Sequence, residues 1–327
     1  MTADSLQSWQ QMEARVQKTI RLIFVLTIAG ALIYLALGVW VGWQNLSAAM
    51  AKLGFGALAA GMLVSTLSYS VRFIRWQHVL LTIGAPVPAM SSFRVYLSGL
   101  ALTATPAKVG ETVRSMLLLR WNVPIGSSLA AFFVDRLTDL IAVMIIAGLT
   151  SRAPSIWLLF AAFVACLGFA MRWVFTHHYA ERLATWLTEH RVFRFLSDLL
   201  RTGMRSYLTV WRPLHVLYYA CLAVLAYGMQ ALVFAVYVNM LWPASDVLRS
   251  VCTFATSALV GAATLIPGGL GATEITMIGM LSADGMPIAD ATAATVAMRI
   301  VTLWFGILIG VSCLASFRRL AVDAVQD

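Results

Sequence analysis

The amino-acid sequence predicts an all-α polytopic membrane protein with about six full transmembrane helices and two opposed re-entrant helical hairpins, about eight membrane segments in a pseudo-inverted repeat. Three observations lead there. The chain is 61% hydrophobic and 11% charged, where soluble domains are roughly a quarter charged, so most of its surface must face lipid. Six apolar runs reach the length of about 20 residues that a helix needs to cross the hydrocarbon. Two further apolar regions are too short to cross and are broken at Pro106 and Pro267.

In chain order, residues 1–19 are polar and read as a cytoplasmic N-terminal segment, residues 20–315 as a single membrane domain, and residues 316–327 as a cytoplasmic tail. The first apolar run, 20–41, is too long for a signal-peptide core and reads as a retained span. Runs at 54–73, 125–149, 154–175, 213–240 and 289–315 complete the six. Between the second and third spans, Ser92 to Thr105 offers about 14 residues, or about 21 Å of helix, before Pro106. The arm that follows carries Glu111, Arg114 and Arg120. Neither arm spans alone, so residues 92–120 read as a hairpin.

The second hairpin, 250–283, breaks at Pro267-Gly268-Gly269 and resumes for only about a dozen residues. Proline and consecutive glycines end a helix, and broken backbone at membrane depth survives only where protein or a water-filled cavity satisfies its polar groups. Both hairpins share Pro-x-x-x-Gly, Pro106 to Gly110 and Pro267 to Gly271. Opposed broken helices meeting near the midplane are a recurrent transporter plan. Residues 177–212 interleave Trp186, Leu187, Phe193, Phe195, Leu199, Tyr207 and Trp211 with arginines; this pattern reads as an amphipathic pair lying on the cytoplasmic leaflet.

The net charge of +9 would suit nucleic acid, but its distribution points elsewhere. If both hairpins return to the side they entered from, 18 of the 23 Lys and Arg flank one face of the membrane. Lys52, Arg152 and Arg249 flank the other, and Arg136 and Arg299 lie within spans. By the positive-inside rule the rich side is cytoplasmic, with both termini on it. The four cysteines sit singly in apolar segments and imply neither disulfide nor metal. Phosphate-binding glycine loops, nucleophile elbows, HExxH and dinucleotide fingerprints are all missing, so the chain is expected to have no cofactor and no catalytic or metal residues, and not to be an enzyme.

Ionisable groups inside spans cost about 2.5–3.5 kcal/mol each on insertion scales, so each needs a partner or a purpose. Six qualify: Glu111, Asp135, Arg136, Asp139, Glu274 and Arg299. Asp135 and Asp139 are four apart and share a helix face, and Arg136 precedes Asp139 by three, within reach. Glu111 and Arg114 follow the Pro106 break and offer either an i,i+3 pair or a binding half-helix N-terminus. Glu274 is either the N-terminal acid of a short helix or an internal charge paired with Arg299 or Arg136. Arg299 lies too deep to snorkel and is the foremost buried cation. Gly306 and Gly310 make a GxxxG spacing that reads as plain helix packing.

The runs Pro106-Ala107-Lys108-Val109-Gly110-Glu111-Thr112-Val113-Arg114, Val134-Asp135-Arg136-Leu137-Thr138-Asp139-Leu140 and Pro267-Gly268-Gly269-Leu270-Gly271-Ala272-Thr273-Glu274 resemble the lysylphosphatidylglycerol synthase transmembrane (flippase-like) family, and Arg72-Phe73-Ile74-Arg75-Trp76 looks like that family's pattern too. The resemblance runs in order over nearly the whole chain. It implies about eight membrane segments, including re-entrant ones, and a lipid- or lipid-linked-glycan flippase without the synthase domain, resident in the bacterial inner membrane. By the same resemblance Gly110, Glu111, Arg114, Arg136, Asp139, Pro267, Gly268, Gly269, Gly271 and Glu274 are site residues. Lys108 and Asp135 depart from the pattern and leave the headgroup open. With Arg299 these form the expected lipid site. The expected partners are membrane lipids with an anionic or phosphate-bearing headgroup, lipid-biosynthesis enzymes, and a second copy of the chain in a homo-oligomer, but no nucleic acid. Two other functions fit the same residues: a non-transporting partner of lipid or envelope-glycolipid enzymes, and an intramembrane lipid-modifying enzyme with Asp135, Asp139 or Glu274 as general base.

Overall fold

Helices form where the apolar runs predict them, and prolines set several of their starts. A computed structural model describes residues 43–85, 87–103, 113–151, 153–177, 185 and 194–326. The expected first span at 20–41 lies outside them, as do Lys108, Gly110 and Glu111. Every element among the described residues is helical. Helix α1 (Trp43–Thr82) is broken at Gly54 (φ 70°, ψ 165°), where two helical stretches join. The first hairpin contributes α2 (Ala89–Leu100) and the short α3 (Val113–Leu118). Next come α4 (Ile125–Thr150), α5 (Pro154–Thr176), α6 (Arg194–Val210) and α7 (Pro213–Leu241). The second hairpin is α8 (Val247–Ala263), a single 3₁₀ turn at Pro267–Gly269, and α9 (Ala272–Ala283). The last span is α10 (Ile288–Arg299), a π-turn (Ile300–Trp304) and α11 (Phe305–Gln326).

Among the described residues, four segments are both long and apolar enough to cross a membrane: Leu46–Thr82, Pro154–Thr176, Pro213–Leu241 and Ile288–Ser316. Helix α4 has 26 residues, about 39 Å of helix, and differs from them by carrying Asp135, Arg136 and Asp139. The observed helices correspond closely to the expected spans except in α1, which continues to Thr82 where the apolar run ends at 73, and in α11, which continues to Gln326 past the expected end at 315. One face of the last nine residues of α1, with Arg75, Trp76, Val79 and Leu80, is buried, and Arg72 and Arg75, counted above as flanking charges, are part of the helix packing.

Polar contacts identify the two ends. At one end Lys52 meets Asp290 at 3.2 Å and Arg249 meets Asp284 at 2.6 Å. The second pair joins the start of α8 to the residue just past α9, so this hairpin returns to the side it entered from. At the other end the turn after α1 (Ile83, Gly84, Ala85) abuts the approach to α4 (Trp121 to Pro124), which brings the entrance and exit of the first hairpin together. The hairpins thus enter from opposite ends, as the sequence predicts. Helix α6, the described part of the amphipathic segment, lies against α4 and α5 at this second end: Ser206 donates to the Ser127 hydroxyl (2.8 Å) and Tyr207 to the Gly168 carbonyl (2.9 Å).

Lipid tails are as apolar as leucine, so helices in a membrane are held by close packing and polar contacts and not by burial from water. Small residues do this work here. Ala220, Ala223, Ala226, Ala231 and Ala235 line the buried face of α7, and Ala291, Ala293, Ala294 and Ala297 that of α10. The GxxxG spacing packs inside the chain: a Cβ on Gly310 would lie 2.1 Å from the Ala101 backbone nitrogen, and one on Gly306 2.8 Å from the Tyr69 hydroxyl. Apolar cores form towards each end, one around Phe234, Phe254, Met277 and Met298, the other around Trp76, Tyr96, Tyr207 and Trp211.

Candidate functional site

The charged groups of α1 and α4 meet between the two cores. Asp135 and Asp139 lie on one face of α4 and Arg75 reaches both, its Nη2 2.6 Å from Asp135 Oδ1 and 2.7 Å from Asp139 Oδ1. Arg136 closes the group from its own helix, at 3.1 Å from Asp135 and 3.2 Å from Asp139. Two guanidiniums thus neutralise two carboxylates in a region where any single charge would be expensive. Arg75 is fully buried, and its Nε and Nη1 find no hydrogen-bond partner among the described residues. Buried donors without partners cost free energy, so the cluster depends on the ion pairs for its stability.

Helix α7 adds an orienting layer. Tyr227 donates to Asp139 Oδ2 (3.3 Å), and its ring face carries the Arg72 guanidinium 4.1 Å from the centroid. Arg72 Nη2 donates to Gln230 Oε1 at 3.0 Å, and Gln230, three residues after Tyr227, shares its face of the helix. From the first hairpin, Arg114 is buried. Its Nε donates to the Tyr96 carbonyl (3.1 Å), and its guanidinium packs over Tyr96 and Trp76. The space comes from Gly99, where a Cβ would lie 2.1 Å from Arg114 Nε.

The second hairpin turns on glycines in left-handed backbone, Gly268 at φ 62° and Gly271 at φ 86°, which a side chain would strain. Glu274 holds this turn in two ways. Its Oε2 accepts from the Gly271 backbone N–H at 2.8 Å and its Oε1 from Arg299 Nε at 2.7 Å. It is therefore both the N-terminal acid of α9 and an internal paired charge, the two readings the sequence set against each other. Arg299 Nη2 also donates to the Gly268 carbonyl at 2.6 Å, satisfying backbone that the break leaves without helical partners. A π-turn follows directly, a feature often found at functional sites, and Tyr69 donates to its Thr302 carbonyl at 2.5 Å.

These groups surround one cavity of about 620 Å³. Leu100, Thr103 and Arg114 of the first hairpin line it on one side, and Gly261, Gly268, Gly269 and Thr273 of the second on another. Arg72, Arg136 and Arg299 add their guanidiniums, while Val143, Met144, Trp157, Phe160, Leu265 and Ile266 make an apolar wall. Phe160, Leu265 and Ile266 are also exposed, so this apolar wall reaches the surface formed by the described residues. The arrangement pairs an anion-attracting interior with an apolar mouth.

Of the expected site residues, Arg114, Arg136, Asp139, Gly268, Gly269 and Arg299 line this cavity. Asp135 and Glu274 stand behind it, bound to lining arginines or to Arg75. Pro267 opens the 3₁₀ turn and Gly271 caps α9. Lys108, Gly110 and Glu111 lie outside the described residues. Arg72 and Arg75 enter the sequence reading only as part of a family-like run and not as site residues, and Tyr96, Tyr227 and Gln230 escape it. The available signal was that Val79-Leu80-Leu81 resumes an apolar pattern after Arg75, which places both arginines within a helix.

Comparison with known proteins adds two findings. The family described as lysylphosphatidylglycerol synthase TM region matches residues 27–310. A UPF0104 membrane protein of Methanothermobacter thermautotrophicus is 26% identical over 282 residues, covering 78% of this chain and 83% of that protein.

Proposed function

Since the chain belongs to the lysylphosphatidylglycerol synthase TM region family, an integral membrane family, we propose that it is a flippase-like transporter that moves a lipid with an anionic headgroup between leaflets of the membrane. The observation that carries this reading is the cavity itself, walled by both opposed hairpins, lined by four guanidiniums and with an apolar wall that reaches the surface at Phe160, Leu265 and Ile266. A charged headgroup crossing bare hydrocarbon is strongly opposed by desolvation. A cationic cavity at membrane depth removes most of that cost, while the acyl chains stay in the bilayer along the apolar mouth. Because each hairpin enters from a different end, movement of either would expose the cavity to one side, as in alternating-access proteins built on opposed repeats.

The test is leaflet exchange in vesicles. With fluorescent phosphatidylglycerol in both leaflets, a membrane-impermeant reductant quenches only the outer half in protein-free vesicles. Vesicles holding this chain are expected to lose nearly all their fluorescence. Ala258→Trp, which places an indole in the cavity, is expected to slow the loss. Equal quenching with and without protein would overturn the proposal.

A further inference from the structure

The arginines of the cavity are not equivalent. Arg136 is held on Asp135 and Asp139, and Arg299 on Glu274 and the Gly268 carbonyl. Arg114 is bound to the Tyr96 carbonyl and packed against two aromatic rings. Arg72 differs from Arg136 and Arg299 in that its contacts are neutral, the Gln230 amide oxygen and the Tyr227 ring, and from the buried Arg114 in being only partly buried. Its guanidinium nonetheless lines the cavity.

We propose that Arg72 is the cavity's receptor for the phosphate group of a lipid, and that Arg136 and Arg299 build the wall in which it sits. This rests on the transport reading for the site and assigns its ligand contact. A guanidinium offers five N–H donors in a planar fork that matches phosphate oxygens. Only one contact, to Gln230, holds that fork from the side, and Tyr227 supports its face. Arg72 Nε is buried, and the Nη donors left over can be given to a ligand with little further loss of side-chain freedom. Tyr227 is itself fixed by its bond to Asp139, so the paired cluster positions the receptor. Apolar residues around the mouth select a ligand with acyl or isoprenoid chains, and phosphate is the anion such lipids share.

The experiment is binding to the purified chain in neutral detergent micelles, where no leaflets exist, with fluorescent phosphatidate and fluorescent ceramide as probes. Wild type is expected to prefer phosphatidate, which carries phosphate, over ceramide, which does not. Arg72→Gln is expected to weaken phosphatidate binding about 10-fold or more while leaving ceramide unchanged, with Arg72→Lys intermediate. Phosphatidate binding by Arg72→Gln within about twofold of wild type would overturn the assignment. Should that variant fail to fold, Arg72→Lys decides, and phosphatidate binding by it equal to wild type overturns the assignment, as does equal binding of the two probes by wild type. Inorganic phosphate is expected to compete only weakly; displacement by phosphate at the same concentration as phosphatidate would make the ligand a free anion and overturn the lipid assignment. Selective binding without leaflet exchange in vesicles would refute the transport reading and keep Arg72, whereas exchange undiminished in Arg72→Gln would do the reverse.

Discussion

Replacing Arg75 by Met is expected to be among the most damaging single changes in the chain, and the cluster geometry sets its size. Arg75 contacts two carboxylates at 2.6 and 2.7 Å with no exposed surface. At an effective dielectric of about 20 each contact carries roughly 6 kcal/mol of attraction, most of it offset by the desolvation of the charges. Removing one partner keeps the desolvation and loses the attraction. Asp135 and Asp139 would then share Arg136 alone, with one negative charge uncompensated among apolar side chains. A loss of about 3–5 kcal/mol follows. Adding Asp135→Asn restores neutrality, so the double variant is expected to recover at least half of that loss, giving a coupling of about 1.5–3 kcal/mol. Unfolding in mixed micelles, followed by tryptophan fluorescence, measures all four corners of the cycle. A loss below about 1 kcal/mol for Arg75→Met, or a double variant less stable than the summed single changes, would refute the view that charge balance holds the cluster together.

Other perturbations test separate features. Gly310→Ala would drive a methyl into the Ala101 backbone and is expected to cost about 1–3 kcal/mol in the same assay. Gly228→Ala, where a Cβ meets nothing within 4 Å, is expected to be neutral or to gain up to about 1 kcal/mol. Gly268→Ala forces a side chain into left-handed backbone and is expected to cost about 1–2 kcal/mol, with slower leaflet exchange because Arg299 is tied to that turn. In a background freed of native cysteines, an impermeant maleimide is expected to reach Lys52→Cys and Arg249→Cys from one side of sealed vesicles and Arg205→Cys from the other. Labelling of Lys52→Cys and Arg249→Cys from different sides would contradict a hairpin at 92–120, which lies between them in the chain.

What the sequence made legible follows from where its signals are strong. Helices α5 and α7 begin at Pro154 and Pro213, in first-turn positions that favour proline, and their lengths match the membrane ruler. The second hairpin was readable because Pro267 and its glycines cannot continue a helix. That Glu274 should pair with Arg299 or Arg136 followed from the cost of leaving the charge alone, and the structure selects Arg299. Arg72 and Arg75 were misplaced because a charge after an apolar run looks the same whether it reaches water or turns into the bundle. The decision depends on Asp135 and Asp139, about 60 residues later, which need more positive charge than Arg136 supplies. Tyr227 and Gln230 were hidden for a different reason, since an aromatic and an amide in an apolar span look like ordinary packing until a guanidinium is found against them.

The π-turn at Ile300–Trp304 has a consequence for the last span as a whole. A π-turn holds one more residue than the α-helical turn it replaces, and one residue is about 100° of rotation. Upstream of it Arg299 must point at Glu274, and downstream Gly306 and Gly310 must face Tyr69 and Ala101. The extra residue sets the angular phase between these two obligations, as a vernier offsets two scales. Deleting any one residue from Ile300 to Trp304 would keep the composition and length of the span nearly unchanged, yet its two halves could no longer meet their partners together.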